Sequence, residues 1–301
     1  MPSPRTDCHQ HVWPPVLVEA LRRRDRSPRL DGWELYLDGE PPYAVDPADH
    51  DAAGRREVVA ADDIGLTLLS LSSPLGIELL APEESAPLLA AWHASADDGA
   101  DDTLLWAAPR LVEPDPTELA QLLAHPGVCG LQVPATVLAT PAALERAAPV
   151  LRVAELADRP VLVHPGPVAH HAPGAPAWWP ALIDYPAQLA AAWFAWHAAG
   201  RALLPRLRIG FVALAGLAPL HHERLAQRGG RLGPLDPDVF YETSCYGRQA
   251  VDAMTRVVGA DALVHGTDRP YAVPTDLALG PAFDHAVHVA NPHRFLDGGP
   301  R

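Results

Sequence analysis

Two histidines two residues apart, His9 and His11 in DCHQH, open the chemistry of this chain. Alternate side chains of a β-strand point the same way. Asp7, His9 and His11 are therefore expected on one face, and two imidazoles at that spacing can grip one cation. Two more segments end in groups of the same kind. PVLVHPG is an apolar run closed by His164 and a Pro-Gly turn, and ALVHGTDRPYA is an apolar run closed by Gly-Thr and Asp268. Taken singly, each has an ordinary explanation: a surface pair, a satisfied histidine at a strand end, a turn aspartate. Separate strand ends that supply His-x-His, His and Asp in that order argue for one metal site built from His9, His11, His164 and Asp268. Neutral imidazoles with a carboxylate suit zinc, with manganese and iron as alternatives.

The elements that must position these groups are read from periodicity. Short apolar runs alternate with Ala/Leu-rich helical stretches. Strands are predicted at Asp7–Val12, Leu66–Ser70, Thr103–Ala107, Gly130–Val133, Pro160–His164, Arg208–Ala213, Val239–Thr243 and Ala262–Gly266. Helices such as Ala86–Ala96, Pro141–Leu156, Pro186–Gly200 and Arg248–Val258 fall between them. This alternation in 301 residues predicts an α/β fold, a closed (β/α)8 TIM barrel forming one domain over 1–301. Two connections are long, Trp13 to about Glu57 after strand one and Pro165–Tyr185 after strand five. Both follow strands at the end where barrel enzymes keep their sites. The second carries His170, His171 and the pair Trp178 and Trp179, and is expected to cover the site with a tryptophan lining the pocket.

Composition narrows partners and chemistry. The net charge is −14 and the pI about 5.4, so the basic face that nucleic acid or an anionic membrane requires is not expected, and a small-molecule substrate is. All 23 basic residues are Arg. Without Lys there is no Schiff base and no carboxylated lysine to bridge two metals. Cys8, Cys129 and Cys245 are few, odd in number and far apart, as in a reduced cytosolic protein. The N-terminus lacks a signal-peptide apolar stretch, and no membrane-length apolar run is free of charge and Pro. A cytoplasmic location is expected.

DCHQH, PVLVHPG, PRLRIGFVALAG, VFYETSCYG and GADALVHGTDRPYA, with NPHRFL near the end, resemble the successive signatures of the amidohydrolase-2 family of the amidohydrolase superfamily. That branch contains aminocarboxymuconate-semialdehyde decarboxylase and related aromatic-acid decarboxylases. The resemblance implies a (β/α)8 barrel with one catalytic metal: His9 and His11 match the strand-one pair, His164 the strand-five ligand and Asp268 the strand-eight carboxylate. Gln132 falls where other branches of the superfamily place a metal-bridging residue, which favours one metal over two. At strand six the family reads Ala-His-Leu-Gly-Gly. This chain reads Val212-Ala213-Leu214-Ala215-Gly216, so Ala213 stands where a catalytic histidine is expected. The family often forms dimers, which leaves a homodimer open to this chain.

His170 or His171 is a candidate replacement for the missing imidazole. His221 and His222 belong to a helix expected to point away from the mouth, and strand alternation sends His265 to the face opposite Asp268. Arg269 is a candidate for a substrate carboxylate, and Arg248 is read as solvated. Trp13, Trp178, Trp179, Tyr246 and Tyr271 fall near strand ends, as an aromatic rim for a planar substrate or as loop packing. Three functions compete. In the leading one a metal-activated water attacks an amide, ester or lactone carbonyl, with Asp268 as general base; DCHQHVW also resembles the opening of sugar-lactone hydrolases. The second is non-oxidative decarboxylation of a small aromatic or unsaturated acid. The third is a non-catalytic metal- or ligand-binding barrel.

Overall fold

The apolar runs become the staves of one parallel sheet. A computed structural model describes residues 3–97, 102–170, 173–231 and 233–299. Strands β1 (Thr6–Gln10), β2 (Leu66–Leu69), β3 (Thr103–Ala107), β4 (Val128–Pro134), β5 (Val161–His164), β6 (Ile209–Phe211), β7 (Val239–Glu242) and β8 (Leu263–Val264) lie side by side in chain order. Each pairs in parallel with the next. The sheet returns on itself through backbone bonds across β8 and β1. Cys8 N donates to His265 O (2.9 Å), Thr267 N and Asp268 N donate to His9 O (3.1 and 2.8 Å), and His11 N donates to Arg269 O (2.6 Å). The result is the (β/α)8 barrel that the alternation predicts.

Helices cover the outside. Several begin with Pro in the first turn, as at Pro82–His93, Pro116–Leu123 and Pro141–Leu156, where the missing N–H has no intrahelical partner to lose. The predicted helix Pro186–Gly200 is present as Tyr185–Ala195 widened into a π-turn at Trp196–Gly200. Inside, the end away from the site is filled by rings. Phe295, from the C-terminal helix Asn291–Asp297, packs 4.9 Å from Phe240 and 5.7 Å from Trp106. Two glycines make the space. A Cβ on Gly210 would meet the Phe295 ring at 2.7 Å, and one on Gly130 would meet Trp106 at 2.5 Å.

Three places depart from the simple pattern. β6 ends at Phe211 rather than Ala213, because residues 213–217 all take left-handed φ values between 46° and 62°. The segment after β1 is folded rather than a plain loop. It holds a helix (Pro15–Arg22), a three-stranded antiparallel sheet (Arg29–Asp31, Glu34–Tyr36, Tyr43–Ala44) and a second helix (Ala52–Ala61). Its apolar side chains Trp13, Leu17, Leu21, Leu30 and Leu35 join Leu71, Ile77 and Trp92 in a second core beside the barrel. β1 shifts register between Asp7 and Gln10. Among the described residues, no helix is long and apolar enough to cross a membrane.

Candidate metal centre

Four groups from three strand ends converge at the mouth. His9 is on β1, His11 follows it, His164 ends β5 and Asp268 sits in the turn after β8. One ligand atom from each lies within 4.8 Å of all the others. The rings of His9, His11 and His164 stand 4.9–5.2 Å apart, each nearly perpendicular to the other two. The barrel seam explains the convergence. The backbone bonds that zip β8 to β1 also bring Asp268 Oδ1 to 3.2 Å from His11 Nε2 and 3.7 Å from His9 Nε2.

Every imidazole is oriented by a partner on its far side. His11 Nδ1 donates to Ser70 O (2.7 Å), and His164 Nδ1 donates to Pro165 O (2.8 Å). A carbonyl only accepts, so both carry the proton on Nδ1 and leave Nε2 as a bare lone pair. His9 Nδ1 faces the Glu242 carboxylate at 3.2 Å. His9 Nε2 and His11 Nε2 then oppose each other at 3.1 Å. Two lone pairs held that close repel unless a cation lies between them. Ligand atoms around a tetrahedral ion with bonds of about 2.0–2.1 Å are roughly 3.3 Å apart, close to the 3.1–3.7 Å among His9, His11 and Asp268, and all four groups lie within 4.8 Å. The donor set therefore fits a divalent ion.

The charge states agree. Burial lowers His9 to about 3, with His11 adding to the shift and Asp268 opposing it. Burial, then His9 and His11, hold His164 well below its ordinary value. For Asp268 burial acts upward, but the close approach of His11, then His9 and His164, outweighs it and holds the carboxyl at about 2. Neutral imidazoles at His9 and His164 beside an ionised carboxylate are states that ligation needs.

Three supporting residues carry no ligand-like sequence signal of their own. Glu242, fully buried at the end of β7, is the first. Its Oε2 accepts from His9 Nδ1, Ala213 N (3.1 Å) and Ser244 Oγ (2.8 Å), and its Oε1 accepts from Ser244 N. Burial pushes it up to about 8, against the pull of the Ser244 and Ala213 bonds. The signal available was an acid closing the apolar run VFYE at a strand's C-terminal end. Ser72 Oγ is the second. It lies 3.3 Å from His11 Nδ1, takes the Trp13 indole N–H (3.1 Å) and faces the Tyr271 hydroxyl (3.4 Å). Cys245 is the third, with Sγ 3.2 Å from Asp268 Oδ2.

Other expected residues fall elsewhere. Asp7 does not join the four groups. Its oxygens accept from His9 N, Gln10 Nε2, Thr267 N and Thr267 Oγ1 (2.7–3.1 Å), so it pins the turn that presents Asp268. Arg269 turns away from the mouth and pairs with Asp62. Arg248 is exposed. Trp178 is 54% exposed and stacks on Trp179 at 5.9 Å. Trp179 and His170 line a small cleft with Gly39, Pro41 and Val168, which contains none of the four ligands. This cleft lies between the two long connections, so Trp179 packs loop on loop. His171 lies outside the described residues. His221 and His222 stand at the start of a short helix, His222–Gln227, and His265 stacks on His288 at 4.1 Å. Tyr271, by contrast, comes to the centre, its ring 5.3 Å from His11. Gln132 is buried and donates to Leu71 O (2.6 Å) and Ser73 Oγ (2.8 Å), away from a bridging role.

No family model and no curated protein matches the chain. Solved structures do. IDCase from Metarhizium anisopliae aligns over 97% of this chain and 96% of its own, at 17% identity and a TM-score of 0.78. The chain has the same fold. A 5-carboxyvanillate decarboxylase from Novosphingobium aromaticivorans, complexed with manganese and 4-hydroxy-3-methoxy-5-nitrobenzoic acid, aligns over 97% of this chain and 95% of its own (17% identity, TM-score 0.66). A 4-oxalomesaconate hydratase from Rhodopseudomonas palustris aligns over 97% and 95% (16% identity, TM-score 0.68).

Proposed function

We propose that this chain is a metal-dependent enzyme of the amidohydrolase superfamily that decarboxylates a small aromatic or unsaturated acid without oxidation. One observation carries the reading: a three-histidine, one-aspartate cluster sits at the mouth of a barrel whose full length aligns with decarboxylases. His9, His11, His164 and Asp268 hold the ion, with zinc the best match to the donor set; manganese, the ion in the Novosphingobium structure, is the next candidate. When bound, the ion supplies positive charge that orients and steadies a carboxylate and a neighbouring oxygen of the substrate.

The protein's own groups do the rest. Asp268, ionised and 18% exposed, is the titratable side chain of the ligand set that opens toward solvent. It takes a proton from a substrate hydroxyl or from water. It returns that proton to the carbon that loses CO2, where the electron pair of the broken C–C bond receives it. Glu242, Ser70 and Pro165 keep the imidazoles turned inward. Tyr271 lies over His11 as one wall for a planar acid.

Hydrolysis is a second reading, favoured by one feature. Ala213 offers a methyl group where an imidazole would meet the substrate, leaving Asp268 as a base for water attack. The two part on products. Zinc- and manganese-loaded protein is incubated with aromatic and unsaturated acids, including 2,6-dihydroxybenzoate and 5-carboxyvanillate, and with aryl esters, amides and lactones. Released CO2 is the expected result. Cleavage of an ester, amide or lactone with no CO2 from any acid overturns decarboxylation in favour of hydrolysis.

A further inference from the structure

We propose that Cys245 is a positioning residue for Asp268: its thiol donates a hydrogen bond to Oδ2 and so fixes the carboxylate with Oδ1 against the histidines. The proposal rests on the reading of Asp268 as the proton-transfer group. Cys245 Sγ lies 3.2 Å from Oδ2. Oδ1 of the same carboxylate lies 3.2 Å from His11 Nε2 and 3.7 Å from His9 Nε2. The thiol therefore holds the oxygen that faces away from the histidine cluster. A carboxylate pinned at one oxygen alone can rotate about its Cβ–Cγ bond; pinned at both, it has one orientation.

The backbone is bent to deliver this thiol. Cys245 has φ +65°, a left-handed conformation that a residue with a Cβ keeps when its surroundings impose it, and such positions concentrate at functional sites. The imposing contacts are visible. Ser244 donates to Glu242 through both its backbone N–H and its hydroxyl, and Glu242 in turn faces His9 Nδ1. The run from Glu242 to Cys245 thus anchors one ligand, His9, and reaches across to another, Asp268. A glycine would take this φ freely but would bring no donor. Cys8 and Cys129 are buried and serve the core, whereas Cys245 is exposed, so its replacement opens no cavity.

The test reads the centre directly, with Co(II) alone as the probe. Cys245→Ala is expected to weaken Co(II) binding about tenfold, in the range seen when groups behind a metal ligand are removed. It should also shift the visible ligand-field bands, because Asp268 is free to turn. Cys245→Ser keeps a donor on the same carbon and should restore affinity and bands. With any acid that releases CO2, Cys245→Ala should lower kcat about tenfold while KM stays within about twofold. Wild-type Co(II) affinity and bands in Cys245→Ala overturn the proposal. So does a Cys245→Ser protein as altered as Cys245→Ala, since the donor is then not what matters. Normal turnover by Asp268→Asn would instead remove the reading on which the proposal rests, and leaves the cobalt result to stand by itself.

Discussion

Asp268 faces two ways: one oxygen closes the histidine set and the other meets the Cys245 thiol. Its φ of 55° and the Thr267–Asp7 bonds beneath it fix that aim. Removing a positioned general acid–base typically costs about 10²–10⁴ in rate. Asp268→Asn is expected to lose at least that much turnover and to keep its thermal unfolding transition; near-normal turnover with metal bound would reject the mechanism. Glu242 is the matching residue on the other side. Glu242→Gln disturbs the acceptor behind His9 Nδ1, and metal affinity, measured by competition with a chromophoric chelator, should fall about 10–100-fold. The four clustered groups were legible in the sequence because His164 and Asp268 each close a short apolar run and His9 and His11 sit at alternate positions of one strand end. Glu242, Ser72 and Cys245 were not, since what marks them is a partner across the barrel. Arg269 and Trp178 were read from types that suit a substrate, while neighbour contacts decide where they point: Arg269 pairs with Asp62 and Trp178 stacks on Trp179.

At the scale of elements, strand–helix alternation was enough to predict all eight barrel strands to within a few residues. Strand ends were harder. β6 stops early because the chain turns left-handed at Ala213, and nothing in VALAG announces a turn built largely from residues other than glycine. The small sheet between Arg29 and Ala44 was also illegible, since strands of two or three residues show no alternation. The left-handed turn yields its own prediction. Gly216 has φ +58°, and a Cβ there would lie 2.3 Å from Pro186 O, backbone that cannot swing aside. Gly216→Ala should destabilise the fold by roughly 1–3 kcal/mol or more, read as a lower denaturant midpoint with unchanged slope. An unchanged midpoint would mean that the turn does not approach the Pro186 helix this closely.

The whole molecule stores protons in its interior. Burial, against a hydrogen bond from Ser73, pushes Glu78 up to about 7, and burial likewise raises Asp7 to about 7. A carboxyl raised on folding contributes stability that is fully present below its unfolded value of about 4.5 and is lost as the pH climbs through the folded value. The buried histidines, lowered by folding, act in the opposite sense below about 6.5. Glu78→Gln isolates the carboxyl contribution. In chelator-treated protein, the variant should match the wild type near pH 4.5, gain on it up to about pH 7 and hold that gap to pH 8, as read by paired thermal melts. A gap that closes as the pH rises would contradict the raised value.

Bound metal ties these scales together, since an ion that binds the folded chain and not the unfolded one stabilises the whole barrel through four side chains. The most direct measurement is the metal content of protein purified from metal-replete medium, by inductively coupled plasma mass spectrometry, beside the double variant His9→Ala/His11→Ala. The account predicts close to one divalent ion per wild-type chain and none in the variant. Folded wild-type protein that carries no metal and takes up neither zinc nor manganese would contradict it.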